Sequence, residues 1–201
     1  MKVPVYIKLL ASVAILGTAA GVASLATFAS FTSSTSAQAQ SLTSGTVSIT
    51  LGAANRLTVG ASNLVPGDTI QRAVDINNNG SAGTSSVGSI TLTTTAPTTS
   101  LLDSDGTNGL QMVIDKCSVA WTESGPPYTY TCGGTTTSVL TTRAVIGGSI
   151  ALSNMSALTA GNTDRLRITL TLPAGASNTL QGQSSVLNYV FTGNQRAATN
   201  Q

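Results

Sequence analysis

The sequence predicts an all-β protein: an antiparallel β-sandwich, jelly-roll-like or immunoglobulin-like, following an N-terminal signal peptide. Three observations carry this. Apolar residues alternate with polar ones in short runs, at Val47-Ile49-Leu51, Leu57-Val59, Ile70-Val74-Ile76, Ile90-Leu92, Met112-Ile114, Val119-Trp121, Ile150-Leu152, Leu166-Ile168-Leu170-Leu172 and Leu187-Tyr189-Phe191. β-Branched residues dominate them, and Gly, Asn, Pro or Ser clusters separate them at intervals of roughly 8–12 residues, as in a sandwich. Beyond the first thirty residues no window carries a helical stripe; the nearest, SNMSALTAGNTD at 153–164, reads as a loop or one helical turn.

The chain begins with a targeting segment. Lys2 and Lys8 precede an uncharged run from Leu9 to Ser30, the basic start and apolar middle of a secretory signal. Small residues offer cleavage after Ala29 or, alternatively, after Ala39. Residues 1–29 are therefore assigned to the signal peptide, 30–44 to an N-terminal arm and 45–201 to the sandwich. The run is also long enough to span a bilayer, so an uncleaved anchor is the competing reading. With export, the expected location is the extracellular matrix or the cell surface.

In the sandwich segment, Val65-Pro66-Gly67-Asp68 has the form of a tight turn, with Pro66 presetting φ and Gly67 free to take φ > 0. A strand follows, with Ile70, Val74 and Ile76 on one face and Gln71, Ala73 and Asp75 on the other; Arg72 interrupts the apolar face. Asn77 to Gly80 close it, because Asn and Gly tolerate left-handed backbone. LDSDGTNGL at 102–110 resembles half a calcium loop, but the acidic ligand that should close it is missing, so a solvated turn is expected.

Cys117 and Cys132, the only cysteines, flank two aromatic-rich strands broken at Gly125-Pro126-Pro127, and a disulfide across that hairpin is the favoured reading in an exported chain. The competing reading, two thiols on a metal, lacks histidine to complete a zinc site. Trp121 beside them reads as packing.

Composition narrows the function. Charged residues make up 8% of the chain, and removing Lys2 and Lys8 from nine basic residues leaves seven against seven acids, a neutral mature protein. Nucleic acid needs a basic face, which is missing. Low net charge does little to keep copies apart and suits self-association. The chain has no histidine, which excludes His-based acid–base catalysis, Ser-His-Asp and Cys-His arrangements and histidine zinc motifs. Six Asp and Glu123 are scattered, and Lys116 is the sole lysine after the signal. No catalytic residue, metal ligand or cofactor is expected, and the chain is read as a non-enzyme.

Four stretches together carry a family resemblance: LATFASFTSST closing the signal, LTSGTVSITL at 42–51, SNLVPGDTIQRAVDINNNGS at 62–81, and LRITLTLPAGASNTLQGQSSVLNYVFTGNQ at 166–195. In this order they resemble the TasA/camelysin (CalY) family of secreted biofilm-matrix proteins. The family-motif turn falls on Asn63, Leu64, Pro66, Gly67 and Asp68; the last hairpin carries Leu172-Pro173, Gln181-Gly182, Phe191 and Gln195. The middle, 82–160, departs from the larger members and carries the cysteine hairpin. The resemblance implies a jelly-roll subunit, exported through a SipW-type signal peptidase and polymerised into extracellular fibres by donor-strand exchange. Its partners would be its own copies head to tail, and a minor matrix or anchoring protein. Phe31 and Leu42 are the apolar side chains expected to anchor the arm, which read alone could equally be a disordered linker. The family's metallopeptidase label does not transfer to a chain without histidine.

The alternative is a monomeric surface adhesin or carbohydrate-binding sandwich using the 122–131 loop with Trp121, Tyr128 and Tyr130. A peptidase, as in the camelysin label, stands third.

Overall fold

Strands pair in nested order around one hairpin. The computed structural model describes residues 49–51, 64–80 and 87–197, all within the compact unit Ser44–Gln201. The signal, the arm with Phe31 and Leu42, the Leu57-Val59 run and Asn63 lie outside the described residues. The elements are β1 (Ile49–Leu51), β2 (Thr69–Asn78), β3 (Val87–Thr95), α1 (Leu101–Ser104), β4 (Gln111–Cys117), β5 (Trp121–Ser124), β6 (Thr129–Cys132), β7 (Thr136–Ala144), β8 (Gly147–Ala151), β9 (Thr163–Thr171) and β10 (Asn188–Gln195).

A five-stranded antiparallel sheet has the order β1-β2-β9-β4-β7, a three-stranded one the order β10-β3-β8, and β5-β6 form a separate ribbon. Thus β2 pairs with β9, β3 with β8, β4 with β7 and β5 with β6. Winding one long hairpin back on itself produces this nesting, a jelly-roll topology and one of the two sandwich types the alternation left open.

Period-two alternation builds the core. On β2, Val74 and Ile76 point inward; on β4, Met112 and Ile114; on β9, Leu166, Ile168 and Leu170, continued by Leu172. Ile90 and Leu92 of β3 and Ile150 of β8 meet them from the second sheet. Burying each such side chain stabilises by about 2 kcal/mol, and Ile168→Ala at this fully enclosed position costs about 2–5 kcal/mol. The loop after β8 adds Met155 and Ala157 to the core.

The 102–110 stretch differs from the solvated turn expected. Leu101–Ser104 make one helical turn with a capping box: the Ser100 hydroxyl accepts from the Leu102 N–H, and the Asp103 carboxylate accepts from the Ser100 N–H. Asp103 is buried and also accepts from the Ser185 hydroxyl at 2.7 Å, so it ties the helix to the segment before β10. Asp105 behaves as the sequence suggested, accepting from the backbone N–H groups of Asn108 and Thr107 and from the Asn108 side chain. Those hydrogen bonds hold its pKa below the ordinary value.

Candidate functional site

The two sides of the sandwich are finished differently. On the β7-β8 side the sheets are joined: the Ser153 N–H donates to the Val139 carbonyl at 3.0 Å, and the Asn154 side-chain amide donates to the Ser138 carbonyl at 2.9 Å. On the opposite side β10 is the last strand of the smaller sheet, and among the described residues only β3 pairs with it.

The register fixes which groups that edge presents. The Leu152 N–H bonds the Ile90 carbonyl, so Ile90 turns its peptide groups toward β8, and by alternation Thr91 and Thr93 turn theirs toward β10. Their partners Thr192 and Val190 reciprocate. The N–H and C=O groups of Tyr189, Phe191 and Gly193 therefore point away from β3. The Tyr189 and Phe191 side chains point inward, and with Leu187 they are only partly buried against the core. Burial raises the Tyr189 phenol pKa far above its ordinary value, while the Arg72 charge acts the other way. Tyr189 of β10 thus lies near the Arg72 charge of β2, and β1 is the outermost described strand of the larger sheet.

The turn that opens β2 has the conformation its residues specify. Gly67 has φ +98, the left-handed value the third position of such a turn demands. The Asp68 carboxylate accepts from the Val65 N–H at 2.9 Å, the Gly67 N–H donates to the Leu172 carbonyl at 2.8 Å, and the Leu172 N–H donates to the Asp68 carbonyl at 3.0 Å. Two motifs a hundred residues apart in sequence thus meet at one end of the β2-β9 pair. Leu64 packs on the core and Pro66 is exposed.

The β5-β6 hairpin lies on the outer face of the five-stranded sheet. Cys117 is disulfide-bonded to Cys132 across a separation of 15 residues. The Trp121 indole N–H donates to the Arg165 carbonyl, Arg167 stacks 4.6 Å from the Trp121 ring centroid, and an Arg167 N–H donates to the Tyr130 carbonyl. Arg167 also pairs with Asp115 at 2.8 Å. Tyr130 is buried, its hydroxyl donating to Glu123 at 2.8 Å. Of the three aromatics anticipated as a sugar-stacking platform, Tyr130 is therefore enclosed, while Trp121, carrying Arg167 on its ring, and Tyr128 are half-buried.

At the other end of the β4-β9 pair, Asp164 is enclosed. Its carboxylate accepts from the Ser156 and Ala157 N–H groups at 3.0 and 2.7 Å and pairs with Lys116 at 3.2 Å. Asn78, also buried, donates to the Ala157 carbonyl and accepts from the Gly80 N–H. The spacing of Lys116 and Asp164 in sequence offered no signal of this pair.

A family model described as camelysin metallo-endopeptidase matches residues 6–200. The chain belongs to the camelysin family. No curated protein matches it. The description of the camelysin family implies a metal, and the residues present do not fit one. All seven carboxylates and both cysteines lie among the described residues, and the chain has no histidine. The cysteines are bonded to each other. Asp68 and Asp105 hold turns, Asp103 caps a helix, Asp115 and Asp164 are in ion pairs, and Glu123 accepts from Tyr130. Asp75 faces Arg165. Among the described residues no three His, Cys, Asp or Glu converge as metal ligands would.

Proposed function

We propose that this camelysin-family protein is a secreted structural subunit that self-assembles into extracellular fibres, its N-terminal arm entering the lane beside β10 of the next copy. The observation that carries the reading is the asymmetry of the sandwich: one side is sewn by hydrogen bonds, while the other presents the outward peptide groups of Tyr189, Phe191 and Gly193. Such an edge is a template for an added strand. The arm, residues 30–44, is polar, small and free of charge, so it enters without burying an ion. A head-to-tail contact of this kind does not close on itself and propagates a filament. The principal partner is another copy of the chain, with a minor anchoring or matrix protein at a filament end and signal peptidase acting during export. The subunit is non-catalytic in this reading, since its carboxylates are committed to turns, caps and ion pairs; chelator-sensitive peptide hydrolysis by the pure protein would overturn that.

The test is electron microscopy of the secreted mature protein with and without residues 30–44. The full mature chain is expected to form filaments and the deletion to remain monomeric on a sizing column. Filaments that persist without the arm sink the donor-strand mechanism. The rival reading, a monomeric carbohydrate-binding domain, has less support because Trp121 and Tyr130 are occupied within the fold.

A further inference from the structure

The loop that joins β8 to β9 carries a pattern that the assembly reading leaves unused. Asn154-Met155-Ser156 is an Asn-x-Ser triplet without proline at its centre, the acceptor pattern for N-linked sugar on a surface loop of an exported chain. Such triplets arise easily by chance, so the placement decides. Asn154 is exposed and has φ +57, the left-handed conformation that Asn tolerates better than most side chains. Its surroundings are pinned. Met155 and Ala157 are buried in the core, the Ser153 N–H donates to the Val139 carbonyl, and the Ser156 and Ala157 N–H groups donate to the Asp164 carboxylate. This anchoring holds the Asn154 side chain on the outside, where its amide donates one N–H to the Ser138 carbonyl at 2.9 Å. An amide has two such hydrogens, so a nitrogen that carries a sugar still has one to keep that bond. The Ser156 hydroxyl, the third element of the pattern, accepts from Lys116 Nζ at 2.8 Å. In the closed loop it is therefore engaged, and sugar transfer belongs to the unfolded chain during export. The other triplet, Asn79-Gly80-Ser81, ends outside the described residues and carries no part of the argument.

We propose that Asn154 is an N-glycosylation site, taking an oligosaccharide from a polyprenyl-phosphate-linked donor as the chain is exported. Asn154 Nδ2 bonds to C1 of the first sugar, the bond from C1 to the phosphate oxygen breaks, and the lipid phosphate leaves with the Nδ2 proton. The site rests on the secreted part of the reading above and is independent of strand exchange. Asn154 stands on the β7-β8 side, where the sheets are joined, while β10 ends the opposite side. A sugar chain there adds hydration to a mature surface whose seven basic and seven acidic residues cancel, and it leaves the β10 edge uncovered.

The experiment uses the full chain as its own cells produce it, purified from the medium, reduced and digested with trypsin. Cleavage after Arg143 and Arg165 isolates Asn154 in the peptide 144–165, apart from Asn79 in 73–116. Most copies of 144–165 are expected to carry added sugar mass, which electron-transfer fragmentation places on Asn154. Ser156→Ala, which leaves Asn154 in place but breaks the triplet, should abolish the added mass, and Ser156→Thr should retain it. A peptide 144–165 recovered mostly bare from secreted protein overturns the site. Sugar that persists on Asn154 in Ser156→Ala overturns the acceptor triplet as its cause. Protein found inside the cell and bare takes down the secreted reading together with the site, whereas secreted protein with a bare Asn154 loses the site alone.

Discussion

Removing the disulfide tests how the hairpin is held. The β5-β6 ribbon pairs with neither main sheet, and an isolated two-stranded ribbon is marginal in water. Besides the bond between Cys117 and Cys132, its anchors include three hydrogen bonds, Trp121 to the Arg165 carbonyl, Arg167 to the Tyr130 carbonyl and the Tyr130 N–H to Gln71, together with the Arg167 stack on Trp121 and Arg72 over Tyr128. The hydrogen bonds are worth about 1 kcal/mol each. Closing a separation of 15 residues contributes about 3 kcal/mol through the unfolded chain, as much as the three together. A Cys117→Ala/Cys132→Ala chain should therefore melt about 6–12 °C lower, at roughly 2–4 °C per kcal/mol for a domain of this size. Circular dichroism measures the shift, and limited proteolysis should show new cleavage within 122–131. A melting point within about 2 °C of wild type, with unchanged proteolysis, would refute the reasoning and show that polar contacts alone seat the hairpin.

Two further substitutions probe charges inside the fold. Asp164→Ala leaves the Ser156 and Ala157 N–H groups and Lys116 without their carboxylate, and denaturant unfolding should show a loss of about 3 kcal/mol; a loss below about 1 kcal/mol would mean the site relaxes to water. Asp75→Asn should raise the melting point at pH 7 and do nothing near pH 3. Burial lifts the Asp75 carboxyl pKa above its ordinary 3.8, with Arg165 offsetting part, so the folded state holds the proton more tightly than the unfolded one. Its stability contribution is complete below that ordinary value and is lost as pH rises through the raised one; an equal gain at both pH values would contradict the assignment.

Much of the fold was legible because burial on one face forces alternation. Strands β2, β3 and β4 contain the whole of the runs that announced them, and β9 and β10 all but one residue of theirs, Leu172 and Leu187 lying just outside. Strand β7, Thr136–Ala144, escaped because it is an outer strand that buries little besides Val139, and its register against β4 slips twice, so no clean period survives. The helical turn at Leu101–Ser104 is too short for periodicity, yet Ser100 followed three residues later by Asp103 is a capping signature that was there to be read. The candidate site was the least legible part. An open strand edge consists of backbone groups, which every sequence possesses, and only the pairing of β10 with β3 decides which of them point outward. Arg72 was visible as an interruption, but its meaning depends on Gln71 and Tyr128, which come to it through the fold.

In the proposed assembly the same edge would constrain the arm. β10 contributes eight residues, about 27 Å at 3.4 Å per residue, whereas Phe31 and Leu42 are eleven residues apart, about 37 Å when extended. Eleven is also odd, so in an unbroken strand the two side chains would point to opposite faces. A single lane beside β10 therefore cannot bury both. One of them can fill the space flanked by Leu187, Tyr189 and Phe191, and the other must lie past the end of the strand or follow a bulge. In an arm otherwise made of Ser, Thr, Gln and Ala, register then rests on one large side chain, and small polar neighbours on either side do little to penalise a slip by two.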